Sequence, residues 1–164
     1  MRRIFFAVIL VVACATVATA DPREDADSAF QRGDYAQAVE LWRPLAAQGD
    51  AGAQFHLGAM YAQGKGVLQD YQEALKWFRK AAEQRDAEAQ VSLGLMYDAG
   101  MGVPQDSIRA HMWYSLGAVA LSGDEGKKAM KLRDDVASLM TAAQIEKAQE
   151  MARRCQGTKF KECD

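Results

Sequence analysis

The sequence is poor in the residue types that build metal and redox centres. Its 164 residues include 2 histidines and 3 cysteines. The histidines, His56 and His111, fall on different predicted helices and have no partner pattern such as H-E-x-x-H. We therefore expect no metal site and no cofactor.

A surplus of positive charge is also missing. The chain carries 20 Lys and Arg against 22 Asp and Glu, with the two signs interspersed and no basic tract. Proteins that bind nucleic acid or anionic membrane surfaces concentrate Lys and Arg against phosphates. Neither is an expected partner.

Long apolar runs are confined to the first 20 residues, MRRIFFAVILVVACATVATA. Arg2 and Arg3 precede an apolar stretch that ends near Val12, and A-T-A at 18–20 is a small-residue cleavage site, which is the organisation of a secretory signal peptide. The stretch is shorter than the roughly 20 residues that span a bilayer, so no integral membrane span is expected. We predict a cleaved signal peptide at 1–20 and a periplasmic or secreted protein.

An alternative export signal lies in the same segment. The run V-V-A-C at 11–14 loosely fits the site at which bacterial lipoproteins are cleaved and acylated. A lipoprotein anchored at Cys14 is therefore an alternative, although its signal peptide would be unusually short.

The two remaining cysteines, Cys155 and Cys163, lie near the C-terminus. In an oxidising compartment an even pair is expected to form a disulfide. The spacing C-x7-C without a neighbouring histidine is neither a zinc pattern nor a C-x-x-C redox motif. We predict a structural disulfide that tethers the tail 155–164 to the last helix.

The sequence repeats itself with an offset of 36 residues. LGAMYAQGKGVLQD at 57–70 returns as LGLMYDAGMGVPQD at 93–106. A single glycine-rich loop would suggest a phosphate-binding turn, but two copies at a fixed period indicate a repeated structural unit.

The repeated sequence predicts the first helix of each unit and the turn that follows it. Gly58 lets a neighbouring helix approach, Gly64 suits the left-handed residue that ends a helix, and Asp70 is an N-cap that Glu73 would complete as a capping box. The repeat-defining positions of this half-unit are Leu57, Gly58, Tyr61, Gly64, Gly66 and Asp70, and again Leu93, Gly94, Tyr97, Gly100, Gly102 and Asp106.

The second helix carries an aromatic and alanine stripe at helical spacing. It begins with Ala74 and Trp77 in one copy and with Ala110 and Trp113 in the next. The stripe predicts a packed core, in which each tryptophan would be a large buried side chain. Shifting back by 36 residues gives an earlier, truncated copy.

The whole pattern predicts eight helices in four antiparallel pairs. Their expected ranges are 24–33 with 35–47, 51–63 with 70–84, 87–99 with 106–120, and 125–139 with 142–154, the last beginning with a T-x-x-Q capping box at Thr141. Pro44 interrupts the second range, so we expect a kink or an early end near Arg43. Arg85 replaces the helix-ending Gly49 of the earlier unit, which implies a different cap.

The repeat A-Q-x-x-L-G-x-M-Y-x-x-G-x-G-V-x-Q-D followed by A-x-x-W-[FY]-x-x-[AG]-A resembles the Sel-1-like repeat, a branch of the tetratricopeptide-type α-solenoids. The resemblance implies an all-α fold, a short right-handed solenoid of about four helix pairs. We divide the domain at 21–164 into a truncated first unit at 24–52, full repeats at 53–88 and 89–120, and capping helices at 124–154.

The resemblance also implies a function, that of a scaffold which binds a protein or peptide partner in the cell envelope as a monomer or weak oligomer. The first helix of each pair lines the inner face of such solenoids. The corresponding positions here, our candidate partner-binding residues, are Phe55, His56, Ala59, Val91, Ser92 and Leu95. The apolar ones also fit a second hypothesis, that they pack inside the solenoid.

An enzyme is the alternative, because some exported proteins of this family have been linked to β-lactam binding or hydrolysis. Serine enzymes of that class use Ser-x-x-Lys, and none of the serines after residue 20 has Lys three residues later. Asp134 and Asp135 are adjacent on a predicted helix and point about 100° apart, which is unsuited to a shared acid/base site. We predict no catalysis.

Overall fold

A computed structural model describes residues 21–161 and residue 163, so the predicted signal peptide and Cys14 lie outside the described residues. The described chain is all-helical, with eight α-helices and no strand. The helices are α1 Pro22–Gln31, α2 Tyr35–Ala47, α3 Ala51–Gln63, α4 Tyr71–Glu83, α5 Ala87–Ala99, α6 Ser107–Ala120, α7 Gly123–Ala137 and α8 Ala142–Gly157. The all-α solenoid expected from the repeats is confirmed.

Aspartates begin the repeated helices. The Asp50 and Asp86 carboxylates each accept a hydrogen bond from the amide three residues later, both at 2.8 Å. Asp70 and Asp106 each accept from two amides at the starts of α4 and α6. Each such cap satisfies amides that have no partner inside the helix and stabilises it by about 0.5–2 kcal/mol.

Helix ends agree with the sequence at two glycines and disagree at Arg85. Gly64 and Gly100 end α3 and α5 with φ of 65° and 69°. Arg85 has φ 70° and Gly49 has φ 98°, and the amide that follows each of them donates to a carbonyl near the helix end at 3.1 Å. The prediction of a different cap at Arg85 was wrong, because the turn is kept although the residue there is strained.

Two other local predictions differ from the structure. Helix α2 continues through Pro44 to Ala47, so the early end expected near Arg43 is wrong, while the alternative of a kink stays a prediction. Glu73 does not complete a capping box, since the Asp70 amide from which it would accept donates to the Tyr61 carbonyl oxygen at 3.0 Å, and its carboxylate accepts from Lys76 Nζ at 2.5 Å. The box at Thr141 is present as predicted.

Glycines inside the helices set the distance between paired helices. A Cβ added to Gly58 would lie 2.6 Å from the Phe78 ring, and one added to Gly94 would lie 2.5 Å from the Tyr114 ring. Both distances are shorter than real Cβ contacts. Helices α3 and α5 therefore each touch the aromatic stripe of the following helix directly through a glycine.

The turn glycines join successive units. A Cβ on Gly102 would lie 2.9 Å from the backbone of Tyr71, and one on Gly66 would collide with the backbone of Tyr35. Each turn therefore rests on the start of the outer helix one unit earlier, and stacking depends on these two positions.

The core consists of two adjoining clusters. One joins α1, α2 and α3 around Trp42, and the other runs from α4 to the C-terminal tail around Trp113. Trp113 is 2% exposed, as the stripe predicts. Trp77 is only partly buried, with Lys80 Nζ 4.4 Å from its ring centroid, so the expectation of two equivalent core tryptophans was wrong.

The last two helices, α7 and α8, both pack against α6 and close the array. Successive helices from α1 to α7 pack against their neighbours along the chain. Helix α8 packs against α6 instead and makes few contacts with α7. The C-terminal unit is therefore a cap built on both sides of α6.

The tail after α8 is bound back to the protein. Cys155 and Cys163 form a disulfide, and Cys163 and Phe160 are both buried in the larger core cluster. Phe160 and Lys159 have positive φ values, 66° and 55°, which non-glycine residues adopt at a cost. No helix in the described part of the chain is long and apolar enough to cross a membrane.

Candidate partner-binding groove

The inner helices α3 and α5 leave an apolar groove that reaches the Phe78 ring of the aromatic stripe at one end. It contains two neighbouring cavities of about 310 and 220 Å³, which share Phe55, Ser92 and Leu95. One side of α3 and of α5 faces the paired outer helix, and another side of each helix lines this surface. The groove is therefore produced by the helix stacking itself.

The larger cavity lies between α3, α5 and α7. Its lining residues are Phe55, Glu88, Val91, Ser92, Leu95, Leu121, Glu125, Lys128, Ala129 and Leu132. Helix α7 contributes Ala129 and Leu132 to this cavity. The sequence does not predict this contribution, because the repeated pattern ends before α7 begins.

The smaller cavity lies between α3, α4 and α5. Its lining residues are Phe55, Ala59, Ala62, Gln63, Phe78, Ser92, Leu95, Met96 and Met101. Within the described part of the chain, no charged residue lines it. Five of the six candidate residues thus lie around the two cavities, and His56 does not line either.

His56 belongs instead to an aromatic cluster at the N-terminal end. Its ring stacks on the Trp42 indole, with centroids 4.4 Å apart and planes 11° apart. Phe30 lies 6.3 Å away. Burial lowers the pKa of His56, against the opposing effect of the Asp27, Glu88 and Asp86 carboxylates. The imidazole is therefore neutral at pH 7 and acts as a packing group.

The floor of the groove combines packing with exposure, and partner binding by these positions stays a prediction. The Phe55 ring lies 5.9 Å from the Phe78 ring and is only partly buried. Leu95, which borders both cavities, is 40% exposed. A leucine on a concave surface that is exposed to this degree is available to an apolar ligand.

A second concave region lies on the opposite face, between α4, α6 and α8. A cleft of about 420 Å³ there is lined by Arg79, Glu83, Trp113, Arg154, Phe160, Lys161 and Cys163. Arg79 Nη2 donates to the Tyr97 hydroxyl at 2.8 Å. The two faces thus differ in chemistry, since this cleft is basic and the groove is apolar with acids at its edge.

Ser115 and His111 are neighbours on α6. Ser115 Oγ lies 3.5 Å from His111 Nδ1, yet it donates to the His111 carbonyl oxygen at 2.7 Å. His111 is 5% exposed and does not line either concave region. The described residues contain no cluster of three or more metal-ligating side chains.

Comparison with known proteins places the repeats in a family. The Sel1 repeat matches residues 27–50, 51–86 and 87–118, which together make up more than half of the chain. The second and third matched segments begin at the first residues of α3 and α5, two positions before the full repeats predicted at 53–88 and 89–120. No functionally curated protein matches the chain.

Two solved structures are similar to this chain. One is a protective antigen present in uropathogenic Escherichia coli strains with an SLR fold, at 32% identity and a TM-score of 0.75 over 86% of this chain. The other is a Sel1 repeat protein from Oxalobacter formigenes, at 27% identity and a TM-score of 0.61 over 73% of this chain.

The chain is shorter than both of these proteins. It spans 32% of the Escherichia coli protein and 54% of the Oxalobacter formigenes protein. Sel1 repeat proteins are generally protein-interaction scaffolds and are typically non-catalytic. From three matched repeats, the eight-helix solenoid and two structural relatives, we conclude that this chain belongs to the Sel1 repeat family.

Proposed function

We propose that this protein is an exported, non-catalytic scaffold that binds one segment of a partner protein in the groove between α3, α5 and α7. The observation that carries the proposal is the exposure of Leu95, 40%, at the border of the two cavities. An apolar side chain there gains stability when a ligand covers it, by about 25 cal/mol for each Å² removed from water.

The size of the groove favours a short segment over a globular surface. The two cavities, about 310 and 220 Å³, are at or below the lower end of the range for small-ligand sites, about 300–1,000 Å³. Each has room for at least one apolar side chain of a partner. Repeat solenoids bind extended or helical segments in this way, along the surface that successive inner helices form.

An envelope location fits the covalent structure. The disulfide between Cys155 and Cys163 is of the kind that persists in oxidising compartments. With the signal peptide predicted at 1–20, this supports a periplasmic or secreted protein, which we expect to be a monomer or weak oligomer. Mass determination of the mature chain would show whether cleavage follows Ala20 or generates a lipidated Cys14.

Photo-crosslinking in the native host tests the groove. A photoreactive amino acid at Ser92, inside the groove, should capture a partner, whereas the same group at exposed Gln149 on α8 serves as the control. Adding Leu95→Arg to the Ser92 variant should abolish that adduct while the helical content stays unchanged. A partner captured equally at both positions, or unaffected by Leu95→Arg, would move the binding site elsewhere and reject the proposal.

A further inference from the structure

Carboxylates lie at the edge of the groove on two of the inner helices. Glu88 on α5 and Glu125 on α7 both line the larger cavity. Each belongs to the first turn of its helix. The acids of the groove thus lie where α5 and α7 begin.

The cation at this edge is already used. Lys128 Nζ donates to Glu125 Oε1 at 2.7 Å, so this pair is nearly neutral as seen by a ligand. Among the described residues, no other Lys or Arg lines either cavity. The surplus charge of the groove is therefore negative and comes from Glu88, which is exposed to solvent.

The apolar floor provides two separate positions. Phe55, Ser92 and Leu95 border both cavities and so form the boundary between them. Only the larger cavity has a charged edge, since no charged residue lines the smaller one. A ligand that fills both must therefore be apolar at two points and charged at one end.

We propose that the occupant of the groove is a protein segment with two apolar side chains, one for each cavity, followed by a Lys or Arg that pairs with Glu88. The statement rests on the proposed scaffold function and adds the chemistry of the partner. The apolar contacts provide most of the affinity, and the basic residue fixes the direction in which the segment lies.

The electrostatic part has a predictable size. An exposed ion pair contributes about 0.2–1 kcal/mol, and every 1.4 kcal/mol is tenfold in Kd. Glu88→Gln should therefore weaken the binding of a basic peptide by about 1.5- to 5-fold. Because the Debye length is about 8 Å at 0.15 M salt, raising the salt to 0.5 M should weaken the wild-type complex and affect the neutralised variant less.

Selection from a random 12-residue peptide display library tests this without knowledge of the natural partner. Wild-type protein is the bait, and the Leu95→Arg variant is the bait for counter-selection. Enriched peptides are synthesised and their Kd is measured against wild type, Glu88→Gln and Glu83→Gln. Glu83 is the matched control, an exposed acid that lines the basic cleft on the other face.

The outcomes separate the two proposals. Enrichment of peptides with two apolar residues and a Lys or Arg, weakened by Glu88→Gln and unaffected by Glu83→Gln, supports both. Leu95-dependent peptides that are neutral or acidic, or that bind Glu88→Gln equally well, overturn the basic-segment inference and leave the scaffold function intact. Failure to obtain any Leu95-dependent peptide overturns both proposals.

Discussion

The guanidinium of Arg85 lies over the ring of Phe160, 5.2 Å from its centroid. Arg85 occupies the turn between α4 and α5, and Phe160 belongs to the tail after α8. The contact thus connects the middle of the array to its C-terminal end. It also offsets part of the cost of the left-handed backbone that Arg85 adopts, since cation–π contacts of this kind contribute about 0.5–1 kcal/mol at exposed sites.

Removal of the disulfide should weaken this connection. We expect the double variant Cys155→Ser with Cys163→Ser to lose about 2–3 kcal/mol in the free energy of unfolding, because the closed loop of the oxidised protein restricts the unfolded chain. Urea unfolding measures the loss. Dithiothreitol should bring wild type to the same stability and leave the variant unchanged, and a wild type insensitive to the reductant would contradict this.

The two repeat tryptophans should differ in their contribution to stability. Trp113→Ala removes a side chain that is 2% exposed and should cost about 3–5 kcal/mol. Trp77→Ala should cost less than half as much, because Trp77 is partly exposed and Lys80 covers one side of its ring. Thermal unfolding of both variants checks the order, and equal losses would refute it.

A buried amide in the third repeat lacks a partner that its counterpart has. Gln84 Nε2 donates to Gln54 Oε1 at 2.8 Å, while within the described part of the chain Gln90 Oε1 is buried with no hydrogen-bond partner. With the offset of 36, the position of Gln84 is taken by Ala120. Ala120→Gln should therefore stabilise the protein by about 0.5–1.5 kcal/mol.

The control for this gain is Ala143→Gln, the same change at an exposed helical position on α8. Chemical denaturation should show no gain for Ala143→Gln. The gain at Ala120 should also vanish when Gln90 is changed to Leu, since Gln90 is the acceptor. Stabilisation that survives in the Gln90→Leu background would have another origin.

His111 should make the protein less stable in mild acid. Burial lowers the pKa of His111 from its usual 6.5, Arg133 adds to the effect and Asp134 opposes it. The unfolded chain therefore takes up a proton on this residue at a higher pH than the folded chain does. Stability is lost as the pH falls below 6.5, by at most about 1.4 kcal/mol per pH unit for one proton.

His111→Leu provides the test, because Leu75 fills the corresponding position of the previous repeat and is 3% exposed. The melting temperature of this variant should fall less between pH 7.5 and 5.5 than that of wild type. His56→Gln should remove the contribution of the other histidine, whose pKa is also lowered by burial. An unchanged pH profile in His111→Leu would contradict the assignment.

Much of the fold could be predicted from the sequence because the same residues recur with a fixed offset. Asp50, Gly58 and Gly64 each have one physical task, and a second copy 36 residues later makes coincidence improbable. The errors at Pro44 and Arg85 are of a different kind. There local preference opposed the fold, and the packing of neighbouring helices was strong enough to overrule it.

The groove was harder to predict than the fold. Phe55, Val91 and Leu95 are predicted as groove residues because they lie on a different side of α3 and α5 from Leu57 and Tyr61 or Leu93 and Tyr97. His56 corresponds to the groove residue Ser92 with the offset of 36, but Trp42 lies close enough to stack on it, and this contact depends on long-range packing. The wall formed by α7 could not be predicted for a related reason, since the path of this helix depends on how it packs on α6.

Because α7 and α8 pack on either side of α6, repeats can be added or removed more easily in the middle of the array than at its C-terminal end. An extra unit after residue 118 would have to displace two packed helices and the disulfide-bound tail. A unit inserted between 86 and 87 would meet only the interface that already exists between repeats, with Gly66 and Gly102 marking how each turn sits on the unit before it. Longer or shorter variants of this protein should therefore arise in its middle, and its C-terminal end should stay the same.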